Sequence, residues 1–245
     1  MSAERRVALV TGAAKRVGRA IALELAAAGC DVAVHHNRSR DEAAEVVRQI
    51  EALGRRACRV HGDLSHEPSW THIVSACLEA FGRLDVLINN AAVFDPMRPA
   101  DFDASAWERT LRINLIAVAG LCHHAAEPLR AGGRGCIVNL CDIAADRPLR
   151  EHLAYSCSKA GVVALTQALA VELAPGVRVN GVSPGIAGFP RAYDQATRDR
   201  LTAEVPLQRA GTPEDIAKAV RYLVNDAPYV TGQILRVDGG RSVRW

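Results

Sequence analysis

The sequence predicts an α/β fold in which a single domain is built on a doubly wound parallel sheet of about seven strands. Apolar runs rich in β-branched residues recur along the chain, and longer segments with helical periodicity separate them. No Pro/Gly/Ser-rich linker divides residues 1–245, a length that suits one α/β domain. Strands that are apolar throughout and alternate with helices indicate a parallel sheet covered on both faces.

The elements follow from these patterns in chain order. The predicted strands are RVALVTG, DVAVHH, RACRVHGD, LDVLINNA, GCIVNLC, VRVNGVSPG and GQILRVDGG. Such a sheet binds ligands beyond the carboxyl ends of its strands, so functional residues are expected there. Helical periodicity predicts the intervening helices, which are Val17–Gly29, Asp41–Leu53, Pro68–Phe81, Ala104–Leu129, Ala154–Leu173 and Pro213–Val224.

The composition is that of an ordinary globular protein, with 49% hydrophobic and 23% charged residues. The net charge of +3 is too small, and the basic residues are too scattered, to indicate nucleic-acid binding. No apolar run reaches the roughly 18–20 residues of a membrane span, and the opening MSAERRVALV leaves no room for a signal peptide. Seven cysteines without a CxxC pair or a zinc-type cluster indicate free thiols, no metal site and a reducing cytoplasm.

The first strand runs into TGAAKRVGRA, which predicts a nucleotide site. Gly12 allows a tight turn, Gly18 lets the next helix pack closely, and the free N–H groups of that helix suit a pyrophosphate. The spacing is not GxGxxG, because Lys15 and Arg16 stand between the two glycines, and Arg16 and Val17 are expected to contact the nucleotide. Glycines that merely end a strand remain the alternative.

The second strand ends in HHNRSR, without the acidic residue that binds a ribose 2′-hydroxyl in enzymes preferring NAD. His36, Asn37, Arg38 and Ser39 stand there instead. Arg38, together with Arg16, is suited to clamp a 2′-phosphate, which favours NADPH. A solvated loop cation is the alternative reading of Arg38.

The third and fourth strands end in GDL and NNA. Asp63, followed by Leu64, is suited to accept a hydrogen bond from the adenine amino group. Asn90 and Ala91 are small residues at a place where the backbone must approach the cofactor. An ordinary Asn-Asn turn is the alternative.

Tyr155 and Lys159 lie four residues apart in YSCSKAG and therefore share one face of a helix. A nearby ammonium lowers the pKa of a phenol by favouring the phenolate, and it can also bind a nicotinamide ribose. A surface pair is the default reading of such a spacing when it stands alone.

The motifs TG-x5-G, NNA, YxxxK, NGVSPG and VDGG occur in this order across residues 5–241. As a set they resemble the short-chain dehydrogenase/reductase family, which implies a Rossmann-type sheet and an active tetrad of Asn114, a serine, Tyr155 and Lys159. In such a tetrad Asn114 orders water that links Lys159 to solvent, and Lys159 orients the ribose and tunes Tyr155.

The serine is missing, because Asp142 stands at its place, thirteen residues before Tyr155. In this respect the chain resembles the pteridine reductases of the family, which carry Asp–Tyr–Lys. TGAAKR, the segment His35–Ser39 and Phe94 also match them. The resemblance implies that NADPH supplies a hydride while Asp142 with Tyr155 protonates a ring nitrogen of a dihydropterin or of dihydrofolate.

The same resemblance implies that Phe94 and the nicotinamide enclose the flat pterin, in a site that Arg16 also lines. Two alternatives remain open for these residues. Asp142 would otherwise be a helix cap or the partner of Arg147 or Arg150, and Phe94 an ordinary core or rim residue. Ala92 and Val93 replace hydroxyl residues of the family, which puts the substrate in question.

The segment after the sixth strand has the composition of a substrate lid and a short helix-like stretch near Asp194–Glu204. A solvated loop is the alternative. Pro184, Gly185 and Ile186 are expected to contact the nicotinamide, whereas Phe189, Pro190, Arg191 and Tyr193 are expected on the substrate side.

The leading function is therefore an NADPH-dependent pteridine reductase. A short-chain reductase of ketones or 3-oxoacyl thioesters is the second reading, and a nucleotide-sensing protein without turnover is the third. In the family, the helices at Ala104–Leu129 and from Ala154 onward pair between subunits, which implies a homotetramer. The alternative is that their apolar faces only cover the sheet.

Overall fold

The structure, a computed structural model that describes residues 5–189 and 193–243, contains one parallel sheet of seven strands. The strand order is 3-2-1-4-5-6-7, so the predicted doubly wound α/β fold is confirmed. All pairings are parallel. The strands are β1 (Val7–Val10), β2 (Asp31–His36), β3 (Ala57–His61), β4 (Val86–Asn89), β5 (Gly135–Leu140), β6 (Val177–Pro184) and β7 (Ile234–Val237).

The helices lie close to their predicted positions, with one difference. The stretch predicted as one helix over Ala104–Leu129 is interrupted by a π-helical turn, Arg112–Ile116, which separates α4 from α5. The helices are α1 (Arg16–Ala27), α2 (Arg40–Ala52), α3 (Glu67–Phe81), α4 (Ala104–Leu111), α5 (Ala117–Ala131), α6 (Leu153–Glu172), α7 (Gln195–Ala203) and α8 (Pro213–Asn225).

The core consists of two layers, one on each face of the sheet. In β1, Ala8 and Val10 pack into the layer formed with α1, α2 and α8, while Val7 and Leu9 pack into the layer formed with α3, α5 and α6. Because both faces are covered, every residue of this strand is buried and the alternation of a half-exposed strand is absent.

The strand order reverses between β1 and β4, which opens a crevice at their carboxyl ends. The two strand ends are joined by side chains as well as by the sheet. The hydroxyl of Thr11 accepts the N–H groups of Asn90 and Ala91 at 2.9 and 3.0 Å, and the Asn90 amide donates to the carbonyl of Thr11 at 2.8 Å. These bonds place the first turn and the NNA segment side by side.

Two further features bear on the expectations from composition. All seven cysteines are free, and five of them are buried. Within the described ranges, no helix combines the length and the apolar character that a membrane crossing requires.

Candidate active site

A cleft of about 510 Å³ lies at the carboxyl edge of the sheet, where the strand order reverses. It brings together most of the residues predicted from the sequence, although they come from distant parts of the chain. Those residues are Gly12, Arg16, Val17, Gly18, Asn90, Ala91, Phe94, Asp142, Tyr155, Lys159, Pro184, Gly185, Ile186, Phe189 and Tyr193.

The turn between β1 and α1 requires both of its glycines. Gly12 has a φ of +62°, in the left-handed region that favours glycine. A Cβ on Gly18 would lie 2.2 Å from the carbonyl oxygen of Gly12 and 2.5 Å from the Asn90 amide nitrogen. The start of α1 therefore reaches the strand end closely, and its free N–H groups open onto the cleft.

His35 stabilises this turn and was not predicted as a site residue. Its Nδ1 accepts the N–H of Gly12 at 3.1 Å, and its Nε2 lies 3.1 Å from the carbonyl oxygen of Gly62. Because that carbonyl only accepts, Nε2 carries the proton, and the ring is neutral. Burial lowers the pKa of His35 to about 4. In the sequence, the only signal for this role of His35 is a polar residue at the end of an apolar strand.

A second cavity, of about 610 Å³, lies at the ends of β2 and β3 and is lined by His36, Asn37, Arg40, Arg59 and His61. Arg38, the predicted 2′-phosphate ligand, is exposed and does not line this cavity, and Ser39 is the N-cap residue before α2.

Arg59 and His61 were missed by the sequence analysis. They flank Val60, so they point to the same face of β3, and His61 is paired in register with His36.

Asp63 and Leu64 follow β3 but line neither cavity. One carboxylate oxygen of Asp63 accepts the N–H and the hydroxyl of Ser65 at 2.9 and 2.7 Å, and these bonds help to hold its pKa below the usual range. The predicted contact with adenine stays a prediction.

Asp142 lies just beyond β5 and directly contacts Tyr155. Its Oδ2 accepts a hydrogen bond from the Tyr155 hydroxyl at 2.8 Å, while its Oδ1 accepts the N–H of Ala144 at 2.8 Å. The second bond caps a short 3₁₀ turn, Ile143–Ala145. The two roles expected for Asp142, as a cap and as a catalytic acid, are therefore compatible, because each uses a different oxygen of the carboxyl group.

Burial dominates the electrostatics of this pair. It raises the pKa of Asp142, against the opposing effect of the Ala144 and Tyr155 hydrogen bonds and of nearby Lys159. The pKa of Tyr155 is raised well above its ordinary value by burial and by the carboxyl of Asp142. The pair therefore holds a proton more firmly than either group would in water.

Lys159 lies four residues from Tyr155, whose pKa is raised by burial and by Asp142 and not lowered as the spacing had suggested. Its Nζ lies 5.7 Å from the centroid of the tyrosine ring and donates to the carbonyl oxygen of Leu140 at 2.6 Å. The amine is buried, and burial lowers its own pKa. The ammonium has three N–H donors, and one of them is used by the Leu140 carbonyl. Because Lys159 lines the cleft, the other donors are available to a ligand there.

Asn114 lies in the π-helical turn and is 1% exposed. Its amide group accepts the N–H of Val93 at 2.8 Å and donates to the carbonyl of Val93 at 2.9 Å and to the Ser158 hydroxyl at 3.2 Å. The side chain thus fixes the segment that carries Phe94. Its predicted water contact with Lys159 stays a prediction.

Phe94 is 42% exposed and lines the cleft, which argues against an ordinary core position. Its ring stacks on His152 with centroids 4.1 Å apart and meets the Tyr155 ring edge-on at 4.6 Å. His152 was not predicted, because only the fold brings it to Phe94. The arrangement holds a flat aromatic surface beside the Asp142–Tyr155 pair.

The lid segment contains α7, which Asp194 caps by accepting the N–H of Thr197 at 2.8 Å. The cleft is also lined by Leu149, Leu201 and Arg241, which were not predicted. Pro190 and Arg191 lie outside the described residues. Asp146 forms an ion pair with Arg236 at the surface, so it is separate from the Asp142–Tyr155 pair.

The cleft has features that suit a nicotinamide dinucleotide. The turn at Gly12 and Gly18 leaves backbone N–H groups for a pyrophosphate, and Lys159 offers donors for ribose hydroxyls. Among the described residues, no group of three or more His, Cys, Asp or Glu side chains is placed to hold a metal ion.

This chain is similar to known proteins over nearly its whole length. The family model described as enoyl-(acyl carrier protein) reductase matches residues 12–242. Cis-4-hydroxycyclohexanecarboxylate dehydrogenase of Sinomonas cyclohexanicum is 38% identical over 240 residues, which cover 96% of each chain. The 3-oxoacyl-[acyl-carrier-protein] reductase of Staphylococcus epidermidis is 33% identical over 237 residues, covering 95% of this chain and 97% of its own.

Among solved structures, acetoin dehydrogenase from Enterobacter cloacae matches with a TM-score of 0.91 and 33% identity, covering 99% of this chain and 97% of that chain. The relatives are thus similar in sequence, length and fold. The chain belongs to the short-chain dehydrogenase/reductase family, a family of oxidoreductases that use NAD(P)(H).

Proposed function

We propose that this protein is an NADPH-dependent pteridine reductase that reduces a C=N bond of a dihydropterin, with dihydrofolate as a further substrate. One observation carries this proposal. The Asp142 carboxyl accepts the Tyr155 hydroxyl at 2.8 Å, at the position where the family resemblance implies a serine. A carboxyl group that retains its proton can protonate a ring nitrogen, whereas a serine hydroxyl suits hydrogen bonding to a carbonyl oxygen.

The proposed reaction adds one hydride and one proton across the C=N bond. A nicotinamide cofactor, when bound in the cleft, would supply the hydride to the carbon. The proton reaches the nitrogen from the Asp142–Tyr155 pair, which then regains a proton from solvent. Lys159 binds the ribose, and its positive charge stabilises the pair after the proton has left.

Phe94 supplies the aromatic surface on which the substrate lies. Its ring is held by His152, and the Val93 backbone beside it is held by Asn114, so the surface is rigid before substrate arrives. Arg16 and Phe189 line the same cleft and are proposed to contact the pterin. Rigid positioning of this kind lowers the entropy lost on binding.

The preference for NADPH is supported by the charges around the two cavities. Arg16 lines the cleft, and Arg40 and Arg59 line the cavity at the end of β2 without an acidic neighbour among its described lining residues. Guanidinium groups bind a 2′-phosphate through charge-assisted hydrogen bonds, whereas NAD has a neutral hydroxyl there.

A carbonyl reductase is the second candidate, and the comparisons favour it more than the first. The relatives include a hydroxycyclohexanecarboxylate dehydrogenase and a 3-oxoacyl reductase, whose names describe alcohol or carbonyl chemistry. In this reading Tyr155 protonates the carbonyl oxygen, and Asp142 takes the place of the family serine.

Two variants of Asp142 separate these functions. With pterin chemistry, Asp142→Asn should lose about 100-fold or more in dihydrobiopterin turnover while NADPH still binds. Asp142→Ser should lose it as well. With carbonyl chemistry, the wild type should reduce only ketones or 3-oxoacyl thioesters, and Asp142→Ser should retain that activity because it restores the family hydroxyl.

Steady-state assays with dihydrobiopterin, dihydrofolate and a panel of ketones provide the measurement, and NADPH fluorescence verifies cofactor binding in each variant. Near-normal dihydrobiopterin turnover by Asp142→Asn would remove this carboxyl from the mechanism. NADPH binding without turnover of any substrate would instead support the nucleotide-sensing alternative.

We further propose that one NADP-binding domain spans residues 1–245 and assembles as a cytoplasmic homotetramer. Two exposed apolar side chains support this assembly, because they lie on the segments expected to pair between subunits. They are Ile116, at the end of the π-helical turn, and Leu153, at the start of α6. Analytical ultracentrifugation measures the mass. A monomer at assay concentration would contradict the tetramer and leave the reductase proposal unchanged.

A further inference from the structure

A recess of about 600 Å³ adjoins the cleft on the side away from the glycine turn. Ile143, Leu149, Tyr193, Leu201 and Arg241 line both spaces, so the recess continues the substrate end of the cleft. Four of these five shared residues have apolar or aromatic side chains. These shared residues, here called the neck, lie where the cleft and the recess adjoin.

The far part of the recess is strongly cationic. Arg147, Arg150 and Arg200 line it in addition to Arg241, whereas Glu204 is the only carboxylate among its described lining residues. Glu204 pairs with Arg241 at 2.9 Å and with Arg200 at 3.5 Å. The described lining of the recess therefore contains four guanidinium groups and one carboxylate, which is a formal excess of positive charge.

We infer that this recess binds a carboxylate that the substrate carries at a distance from its reacting ring. An apolar neck followed by several guanidinium groups suits a flat linker that ends in an anion. The inference builds on the proposed function, where it distinguishes two pterins. Dihydrofolate carries a p-aminobenzoyl linker that ends in a glutamate with two carboxylates, whereas dihydrobiopterin carries a short uncharged side chain.

Arg241 ties the recess to the chemistry of the site. Arg241 lines both the cleft and the recess. Its positive charge counteracts part of the rise that burial causes in the pKa of Asp142. An anion placed in the recess would therefore lie near enough to the reacting centre to belong to the same molecule as the reacting ring. The cis-4-hydroxycyclohexanecarboxylate dehydrogenase that this chain resembles is named for a substrate that carries a carboxylate.

The test compares substrates that share the reacting ring and differ in the tail. In Arg150→Ala/Arg200→Ala, the KM for dihydrofolate should rise about fivefold to tenfold, with kcat little changed and the KM for dihydrobiopterin within about twofold. Added salt should raise the wild-type KM for dihydrofolate more than that for dihydrobiopterin. Arg48→Ala, which removes an exposed arginine from α2, is the matched control and should change neither constant.

Equal changes in both KM values, or no change in either, would overturn the inference while leaving pterin reduction intact. If the wild type turns over neither pterin, the proposed function fails, and the same variants are compared on cyclohexanone and 4-oxocyclohexanecarboxylate. A higher KM for the carboxylate alone would then sustain the inference. A wild type without preference for the anionic member of either pair would reject it.

Discussion

At the scale of single residues, the carboxyl group of Asp142 is the main departure from what the family resemblance implies. A carboxyl that is partly buried, as that of Asp142 is, is costly unless its oxygens are satisfied. Here one oxygen caps a 3₁₀ turn and the other accepts the Tyr155 hydroxyl. The cap fixes the side chain, and the hydroxyl couples it to the tyrosine, so the same residue is held in place and poised for proton transfer.

The pH dependence of pterin reduction should follow from this environment. Burial raises the pKa of Asp142, so its proton persists to higher pH than in an ordinary carboxyl and is lost as the pH rises through that raised value. We therefore expect kcat for dihydrobiopterin to fall as the pH rises above the ordinary titration range of an aspartate carboxyl. Asp142→Asn, assayed for its residual rate, should lack this decline. A wild-type profile that is flat above that range would contradict the assignment.

A second prediction concerns the arginines near the cofactor. Arg59→Ala should raise the KM for NADPH by about tenfold and leave the KM for NADH nearly unchanged, because only NADPH presents a 2′-phosphate. Arg38→Ala should have a smaller effect, since Arg38 does not line the cavity. Arg48→Ala on α2 serves as a control for charge. Equal wild-type use of NADH and NADPH would show that the cofactor preference is mistaken.

At the scale of secondary-structure elements, the π-helical turn between α4 and α5 shows where periodicity fails. The sequence pattern predicts one helix, because neither glycine nor proline interrupts residues 112–116. That turn contains Asn114, whose amide holds both backbone groups of Val93. The local irregularity thus places a polar clamp beside the aromatic surface of the site.

The close approach of α1 to β1 gives a prediction at the same scale. Gly18→Ala should weaken NADPH binding by about tenfold or more, because the new Cβ collides with the Gly12 carbonyl and moves the start of the helix. Gly176→Ala is the matched control, since its Cβ would meet only the flexible side chain of Arg130, at 3.1 Å. NADPH fluorescence titration measures both variants. Equal affinity in the two would contradict the role of Gly18.

At the scale of the whole molecule, His35 makes the stability of the fold depend on pH. The folded protein holds this ring neutral with a pKa lowered to about 4, whereas the unfolded chain binds a proton below about pH 6.5. Its contribution is therefore fully present above pH 6.5 and is lost as the pH falls towards 4. Between about pH 7.5 and pH 5.0 this loss amounts to about 2 kcal/mol.

Urea unfolding of the wild type and of His35→Gln at the two pH values measures that contribution. The wild type should lose about 2 kcal/mol more of its unfolding free energy on acidification than the variant does. Comparing the two slopes removes the contributions of other titrating groups. The same loss in both proteins would show that His35 is not held neutral by the fold.

Much of the architecture could be predicted from the sequence, because its signals are local. Apolar runs that lack alternation predict strands buried on both faces, and β1 is such a strand. Gly12 and Gly18 predict the turn, since a positive φ and a close helix approach each exclude a side chain. Tyr155 and Lys159 share a helix face, so their proximity follows from four residues of spacing.

The contacts that decide the chemistry depend on the tertiary structure. His152 contacts Phe94, His35 contacts Gly12, and Arg59 lines one cavity with His36 only because the fold brings these segments together. Residues far apart in the chain carry no mutual periodicity that a sequence pattern could reveal. The sequence by itself determined the order of elements, the glycine turn and the acid that stands for a serine. The fold decided which oxygen of Asp142 meets Tyr155, which arginines surround the two cavities, and that a cationic recess continues the substrate cleft.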